Sequence, residues 1–277
     1  MDLSIIIINY NTLALTKQCI DCVFEKTRDL QFEVILVDNA STDGSKDYFS
    51  KEKRIKYIYN SENLGFGKAN NIGAKDAQGR NLFFLNSDTM LINNAAKILS
   101  DYLDKNETVG ACGGNLYNKD LKPVYSYSLL PPSIILDVNK LMHNKPGKLF
   151  YKGSLSFNNT ESVLDVSFIS GADLMVKREI FNNIGGFNTA FFMYFEDAEL
   201  CYRIKKAGYT IVSVPTSKII HLVSVSVKKA EKNKSRKKKE MFEESRALYH
   251  SLTNKSKIYI WFASFLNSKV MEKLFFI

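Results

Sequence analysis

Three carboxylates stand close together in the segment FFMYFEDAELCYR, residues 191–203. Glu196, Asp197 and Glu199 come directly after a block of aromatic and aliphatic side chains. Apolar neighbours keep water away from a carboxylate, and this desolvation raises its pKa toward the range of a general base. The helix dipole also favours acids in a first helical turn, by about 0.3–1 kcal/mol each. The residues alone therefore predict a general base at Glu196 or Asp197 without choosing between the two.

The elements that would position these acids alternate between strand and helix. Near-continuous apolar runs predict the strands SIIIIN (4–9), FEVILVDN (32–39), IKYIYN (55–60) and NLFFLNSD (81–88). Helices are expected at 13–25, after Ser45 and at 68–78. This alternation is typical of an α/β fold in which helices cover both faces of a mostly parallel sheet.

Polar side chains close each of these four strands. They are Asn9, Asn11, Asp38, Asn39, Asn60, Asn63, Asn86 and Asp88. In open α/β sheets, ligands bind beyond the carboxyl ends of the strands. Four separate segments therefore deliver polar groups to one sheet edge, which predicts a ligand site there.

Two loops at that edge have both a binding and a structural interpretation. Asp38, on a strand tip, suits the imide N–H of uracil or thymine or a ribose hydroxyl, but a β–α loop capped by Asp43 explains VDNASTDGS equally well. Gly65 and Gly67 form a G-x-G pattern after the third strand, where a dinucleotide fingerprint would not place it. They predict a flexible loop that carries the cation of Lys68.

A divalent cation is a third expectation at the edge. Asn86, Ser87 and Asp88 are common turn residues, yet Asp88 is also a hard oxygen ligand. A cation that bridges diphosphate oxygens needs only one or two protein carboxylates. His221, expected to follow a strand, is a structural histidine unless a metal lies near Asp88, in which case it is the nitrogen ligand.

The remaining chain predicts further elements around an irregular insertion. A helix is expected near 93–104, a strand at 109–115 and an insertion without periodicity at 118–160. A strand, a turn, a strand and a short helix closed by Gly185 and Gly186 follow. A helix over 196–207 that ends at Gly208 and the strand TIVSVP come next, and two aromatic-rich helices are expected in the tail.

Composition limits the class of protein. The chain has 277 residues, 45% of them hydrophobic, and a net charge of +9, most of which lies in the block KKAEKNKSRKKK at 228–239. The rest is nearly neutral, which argues against a nucleic-acid-binding surface over the whole protein. No apolar run reaches the roughly 20 residues of a transmembrane helix. The opening residues do not read as a secretory signal, so we expect a cytoplasmic protein with reduced thiols; the CIDC pair lies inside the first helix, where packing is the simpler interpretation.

Six segments together resemble, in order and spacing, the family 2 glycosyltransferases, and among them the bacterial rhamnosyltransferase-like enzymes of surface polysaccharide synthesis. The segments are SIIIINYN, VDNASTDGS, NLGFGKANNIGA, FLNSD, SGADLMVKREIFNNIGGF and FMYFEDAELCYRIKKAGY. The resemblance covers about residues 3–225. It implies a GT-A fold, with a Rossmann-like mixed, mostly parallel sheet over 1–225 and a basic, amphipathic helical extension over 226–277.

The resemblance also implies roles for individual residues. The implied nucleotide-sugar-binding residues are Asn9, Tyr10, Asn11, Asp38, Asn63, Gly65, Gly67, Asn71, Asn86, Ser87 and Asp88. Asn86 replaces the first acid of the family's D-x-D-type motif, so Asp88 is implied to contact the metal, with His221 completing the site. Asp197 matches the general base, Glu196 precedes it as a supporting acid, and Glu199 replaces a frequent aspartate.

The implied activity is that of an inverting, metal-dependent hexosyltransferase with Mg or Mn as cofactor. By resemblance, the expected donor is dTDP-rhamnose, which supplies rhamnose, with UDP-sugars as the next choice. The expected acceptor is a saccharide or a polyprenyl-linked sugar. The basic, aromatic tail predicts contact with an anionic membrane surface, and a solvated charge run explains it about as well. A non-catalytic nucleotide-sugar-binding subunit is the alternative. A nucleotidyltransferase is disfavoured because NYNTLALTK, after the first strand, has no glycine.

Overall fold

The computed structural model describes residues 1–132, 155–222 and 232–253. The strands are β1 (Leu3–Asn9), β2 (Phe32–Asn39), β3 (Lys56–Asn60), β4 (Asn81–Asn86), β5 (Thr89–Leu91), β6 (Val109–Tyr117), β7 (Tyr127–Ser128), β8 (Leu164–Asp165), β9 (Phe168–Ile169), β10 (Asp173–Lys177) and β11 (Thr210–His221). The helices are α1 (Leu13–Lys26), α2 (Ser45–Phe49), α3 (Phe66–Lys75), α4 (Ala95–Lys105), α5 (Arg178–Asn183), α6 (Glu196–Lys206) and α7 (Lys232–Leu252).

Nine of these strands form one sheet, in the order β3-β2-β1-β4-β10-β6-β11-β5, with β8 beside β11. β1 runs parallel to β2 and β4, and β2 runs parallel to β3. β10 lies antiparallel between β4 and β6, and β6 is parallel to β11. The predicted α/β fold with a mixed, mostly parallel central sheet is confirmed.

Both faces of this sheet are covered, which is why its strands read as continuous apolar runs. On β1, Leu3, Ile5 and Ile7 belong to the core cluster that includes residues of α1 and α4. Ile6, pointing the other way, belongs to the cluster that includes residues of α3, α5 and α6. α6 therefore packs its inner side on the sheet while its first turn reaches the carboxyl edge.

Two strands differ from the pattern predicted by the sequence. β11 continues past TIVSVP to His221, with shifts in its register to β6 between Ser213 and Lys218. His221 therefore lies on the strand, paired with Thr89 of β5, rather than beyond it. The predicted strand 81–88 ends at Asn86, because the chain turns there into β5. Of the predicted insertion 118–160, residues 133–154 lie outside the described part of the chain.

The four cysteines form no disulfide. Cys19, Cys112 and Cys201 are buried, and Cys22 is half-buried with its thiol directed at the carbonyl of Leu91, 3.4 Å away. Burial raises the pKa of all four thiols. The expected role of the CIDC pair in helix packing agrees with this environment.

The described part of the C-terminal extension is the single helix α7. Its Tyr249 is 2% exposed and belongs to the same core cluster as Leu200 and Ile204 of α6. The division of the chain at 225/226 stays a prediction, and the second predicted tail helix lies outside the described residues. Within the described ranges, no helix is both long enough and apolar enough to cross a membrane.

Candidate active site

The strand ends that the sequence placed at one edge are neighbours in the sheet. Asn9 of β1 pairs with Asp38 of β2, and Asn39 pairs with Asn60 of β3. A cavity of about 440 Å³ opens at this edge. Its lining residues are Ile8, Tyr10, Thr12, Leu15, Asn39, Asn63, Gly65, Phe66, Asn86, Ser87, Asp88, Ser170, Gly171, Ala172, Met193, Tyr194, Glu196 and Asp197.

Eight of the residues predicted for the site line this cavity, and seven do not. Those in the lining are Tyr10, Asn63, Gly65, Asn86, Ser87, Asp88, Glu196 and Asp197. Those outside it are Asn9, Asn11, Asp38, Gly67, Asn71, Glu199 and His221.

Asp38 and Asn9 form a buried network under the β1 and β2 loops. The Asp38 carboxylate accepts hydrogen bonds from the Ser41 amide at 2.9 Å and from the Tyr57 hydroxyl at 2.8 Å. The amide of the Asn9 side chain donates to the Ser41 hydroxyl at 2.9 Å. Burial, and then this bond to Asp38, raises the pKa of Tyr57. Both oxygens of Asp38 are thus engaged within the protein, and its contact with a nucleotide base stays a prediction.

The β1 loop exposes an aromatic ring beside the cavity. Tyr10 is 50% exposed. Asn11, next to it, has a left-handed φ of 55° and accepts a hydrogen bond from the Thr42 amide at 2.7 Å. Asn11 therefore fixes the course of the loop, while the ring of Tyr10 offers a flat surface on which a planar base can stack.

The loop before α3 touches the acidic segment directly. At Gly65, which has a φ of 80°, a Cβ atom would lie 2.3 Å from the carbonyl oxygen of Phe192. The next amide, that of Phe66, donates to this same carbonyl at 2.8 Å. The side-chain oxygen of Asn63 accepts a hydrogen bond from the Gly65 amide at 3.0 Å. Only glycine allows the two segments to approach so closely at this point.

Gly67 and Asn71 have structural contacts instead of a place in the cavity. The side chain of Asn71 donates to the carbonyl of Phe187 and accepts from its amide, both at 2.8 Å. A Cβ atom at Gly67 would lie 3.2 Å from that of Phe187. Both residues therefore join α3 to the segment that leads to the acids, and their contact with a nucleotide sugar stays a prediction.

Asp88 and His221 meet at the cation site predicted by the sequence. The Nε2 atom of His221 lies 3.2 Å from a carboxylate oxygen of Asp88 and 3.3 Å from the side-chain nitrogen of Asn86. Among the described residues, no group of three or more His, Cys, Asp or Glu side chains could hold a metal ion by itself. The carboxylate is a ligand type that suits Mg²⁺ or Mn²⁺, and the imidazole beside it could add a nitrogen ligand to a transition-metal ion.

The backbone that precedes the acids is strained. Tyr194 and Phe195 have φ values of 72° and 66°. Left-handed conformations cost non-glycine residues on the order of 1–3 kcal/mol each, and they cluster at functional sites. Helix α6 begins directly after this turn, at Glu196, and its first helical turn lies at the cavity.

Asp197 is held in a fixed orientation by backbone amides. One of its oxygens accepts a hydrogen bond from the Gly171 amide at 2.9 Å, and the other accepts one from the Ala198 amide at 2.7 Å. Burial raises the pKa of Asp197 in spite of these bonds, which act in the opposite direction. An oriented, partly desolvated carboxylate on a cavity wall has the properties of a general base.

Glu196 is buried beside it without a compensating partner. Its side chain is 6% exposed, and its Oε2 atom has no hydrogen-bond partner in the described part of the chain. Burial, and then the charge of Asp197, raises the pKa of Glu196 to about 8. The two acids therefore differ: Asp197 is oriented by two backbone donors, whereas burial without a donor at Oε2 favours the neutral form of Glu196.

Glu199 has a structural environment. It lies 4% exposed and makes two hydrogen bonds at 2.8 Å with the guanidinium of Arg203, one turn later. The same guanidinium donates to the carbonyls of Ile184 and Gly186. These contacts fix α6 against the turn after α5, which explains an acid at this position without a role in the cavity.

Two further residues with contacts at the cavity were given no individual role from the sequence. Gly171, within the quoted segment SGADLMVK, supplies the amide that orients Asp197. Asn39 lines the cavity and donates to the carbonyl of Gly65 at 3.1 Å. A polar residue at a strand end marked Asn39, but no local pattern marks a backbone amide such as that of Gly171.

Solved structures share the fold. A structure of GalNAc-T7 with UDP, GalNAc and Mn²⁺ matches with a TM-score of 0.60 and 18% identity, over 80% of this chain and 44% of that one. The mannosyltransferase PcManGT of Pyrobaculum calidifontis, with GDP-Man and Mn²⁺, matches with a TM-score of 0.60 and 16% identity, over 97% and 69%. These structures confirm the predicted GT-A fold.

Curated relatives match most of the chain at low identity. An uncharacterised protein, y4gI of Sinorhizobium fredii, is 25% identical over 80% of this chain and 24% of its own length. The N-acetylglucosaminyl-diphospho-decaprenol L-rhamnosyltransferase of Mycobacterium tuberculosis is 27% identical over 68% and 66%. The dTDP-rhamnosyl transferase RfbF of Shigella flexneri is 24% identical over 69% and 60%. The chain thus spans only part of each relative.

Replacing Glu196 by glutamine tests the cost of burying this acid. Folding raises the pKa of Glu196 from 4.5 to about 8. The contribution of the protonated Glu196 to the free energy of unfolding is therefore fully present below about pH 4.5 and is lost as the pH rises through 8. Glu196→Gln removes this titration. In urea unfolding at pH 8 the variant should exceed the wild type in free energy of unfolding by at least about 1 kcal/mol, with the gap closing toward pH 5.

Glu244→Gln is the matched control, since Glu244 is exposed on α7. Its difference from the wild type should not change between pH 5 and pH 8. A constant difference for Glu196→Gln as well would show that Glu196 is not held neutral by the fold.

Two family models match the chain. One, described as the N-terminal domain of galactosyltransferase, covers residues 152–225. The other, described as glycosyl transferase family 2, covers residues 4–185, which is more than half of the chain and includes every strand-end residue of the cavity edge. The chain belongs to glycosyl transferase family 2.

Proposed function

We propose that this protein is an inverting glycosyltransferase, which moves a sugar from a nucleoside diphosphate to an acceptor hydroxyl. The observation that carries the proposal is Asp197, a carboxylate oriented by two backbone amides on the wall of the same cavity as Asp88. Transfer to a hydroxyl requires a base for the acceptor and charge neutralisation for the leaving diphosphate. The cavity holds groups suited to both.

Asp197 acts as the base in a single displacement. Its carboxylate takes the proton of the acceptor hydroxyl while the acceptor oxygen forms a bond to the anomeric carbon. The bond from that carbon to the diphosphate breaks at the same time, and the electron pair leaves with the nucleoside diphosphate. Because the acceptor attacks the face opposite the leaving group, the configuration at the carbon inverts.

Asp88 and His221 would hold a divalent cation, which would neutralise the charge of the diphosphate. The Nε2 atom of His221 and a carboxylate oxygen of Asp88 lie 3.2 Å apart, so both groups are available at one place. The presence of Mn²⁺ in the solved structures of GalNAc-T7 and PcManGT supports this proposal. Ser87, whose hydroxyl lies 3.2 Å from that of Thr12, keeps the turn around Asp88 attached to the β1 loop.

We propose dTDP-rhamnose as the donor, with rhamnose as the transferred sugar. The proposed context is cell-surface polysaccharide synthesis. The support is the names of two relatives, an L-rhamnosyltransferase and a dTDP-rhamnosyl transferase. The first of these names also states a diphospho-decaprenol-linked sugar, which supports a saccharide or lipid-linked acceptor. A cytoplasmic location with peripheral membrane contact through the basic extension agrees with such an acceptor.

A non-catalytic nucleotide-sugar-binding subunit is the second candidate. The groups proposed to bind the nucleotide and the proposed base lie on separate elements, so binding could persist without transfer. Substitution of the base separates the two functions.

Asp197→Asn should abolish transfer while leaving nucleotide binding intact. An amide cannot accept the acceptor proton, so turnover should fall by at least about 100-fold. Nucleotide affinity, measured by titration calorimetry, should stay within about twofold, because Asp197 does not bind the diphosphate. Asp120→Asn, at an exposed site, is the control and should match the wild type. Unchanged turnover in Asp197→Asn would reject the base assignment.

A thermal-shift screen of UDP-, dTDP- and GDP-sugars with Mg²⁺ or Mn²⁺ should identify the donor. The largest rise in melting temperature is expected for dTDP-rhamnose with a cation, since a ligand at 100 times its Kd stabilises by about 2.7 kcal/mol. Asp88→Asn should lose the part of the shift that depends on the cation. Equal shifts with and without cation in the wild type would contradict the proposed cation site.

Flotation with anionic liposomes tests the membrane contact. Because α7 packs on the core, the full chain is kept and Lys228, Lys229, Lys237 and Lys238 are replaced by glutamine. The wild type should float with phosphatidylglycerol vesicles and the variant should remain at the bottom of the gradient, since each base near an anionic surface contributes about 1 kcal/mol. Flotation of both proteins alike would reject an electrostatic contact through this block.

A further inference from the structure

Helix α7 contacts the strained turn that precedes the acids. The hydroxyl of Ser245, itself 6% exposed, donates to the carbonyl oxygen of Met193 at 2.8 Å. Met193 directly precedes the two left-handed residues Tyr194 and Phe195. A side chain about fifty positions further along the chain therefore satisfies the last carbonyl before the turn.

Two aromatic residues of α7 pack on the side chains of the same turn. The ring of Phe242 lies 5.6 Å from that of Tyr194 and 5.1 Å from that of Phe195. The ring of Tyr249 lies 5.7 Å from that of Phe195. Such tilted and edge-on contacts are the preferred arrangements of aromatic pairs. Phe195 thus contacts two rings of one helix.

The turn is fixed from its other side by the loop before α3. There the amide of Phe66 donates to the carbonyl of Phe192 at 2.8 Å. Residues 192–195 therefore lie between two elements that are distant in sequence. Without these contacts a non-glycine backbone favours right-handed or extended conformations, and the start of α6 would move with it.

We infer that α7 is a positioning element for the proposed base: Ser245, Phe242 and Tyr249 hold the left-handed turn whose geometry directs Asp197 into the cavity. This inference rests on the proposed function, in which Asp197 accepts the acceptor proton. None of the three residues lines the cavity. They act through the backbone of residues 193–195, so the extension that carries them is part of the catalytic unit.

Two serines of α7 provide a matched test in the full chain. Ser245→Ala removes the bond to Met193, whereas Ser251→Ala removes an exposed hydroxyl whose bond, within the described part of the chain, is to Leu248 of the same helix. Turnover with the donor that the wild type uses should fall about fivefold in Ser245→Ala, the effect of one neutral hydrogen bond. KM for the nucleotide sugar should stay within about twofold, and Ser251→Ala should match the wild type.

Phe242 provides a second pair of variants with a rescue. Phe242→Ala should lower turnover about tenfold or more, because the wall behind Phe195 is lost. Phe242→Leu, which keeps most of the apolar volume, should recover most of that loss. Equal turnover in the alanine and leucine variants, both folded by circular dichroism, would contradict a packing role for the ring.

Hydrogen exchange followed by mass spectrometry supplies a readout that needs no activity. The amides of residues 192–199 should exchange several-fold faster in Ser245→Ala than in Ser251→Ala. If the wild type transfers no sugar from any donor, the proposed function fails, while exchange still tests whether α7 holds the turn. If the wild type is active and the two serine variants agree in both turnover and exchange, the inference is overturned and the proposed function stands.

Discussion

The structure depends on keeping two neighbouring carboxyl groups away from water at the rim of a sheet. Burying an acid is unfavourable unless donors or opposite charges compensate it. Asp197 accepts hydrogen bonds from two backbone amides. The Oε2 atom of Glu196 accepts none within the described part of the chain, and burial raises the pKa of this acid. The strained turn, the glycine that admits Phe192 and the helix behind Phe195 all serve to maintain this enclosure. The result is a cavity whose wall carries an oriented carboxylate, that of Asp197, with a raised pKa.

The sheet determines which segments can meet at the enclosure. The carboxyl ends of parallel strands lie at one edge of the sheet. The direction of β1, β2, β3 and β4 is therefore enough to bring the loops that follow them together. β10, inserted antiparallel between β4 and β6, contributes its start rather than its end to the same edge. For that reason the amide of Gly171, just before β10, can reach Asp197. The reversal of one strand thus brings a hydrogen-bond donor to the proposed base.

The sequence predicts the sheet, the helices and the ligand edge because these follow from apolar periodicity and from polar residues at strand ends. It also predicts that Asp88 and His221 belong together, which the 3.2 Å contact agrees with. It does not predict the hydrogen bond from the side chain of Asn71 to the carbonyl of Phe187. That bond joins residues 116 positions apart, and it depends on the path of the loop that contains Phe187. The i,i+4 pair of Glu199 and Arg203 can be read from a helical sequence, but the bonds of Arg203 to the carbonyls of Ile184 and Gly186, which hold the pair away from the cavity, have no local pattern.

The sheltered thiols have a practical consequence for spectroscopy. A buried cysteine with a raised pKa stays protonated at neutral pH, and the protonated thiol is a poor nucleophile. Cys19, Cys112 and Cys201 meet both conditions, and the thiol of Cys22 is half-buried, with its pKa also raised. A new cysteine at an exposed position such as Ser251 would therefore react first with a maleimide dye. The natural chain can serve as the background for fluorescent labelling without prior removal of its own cysteines.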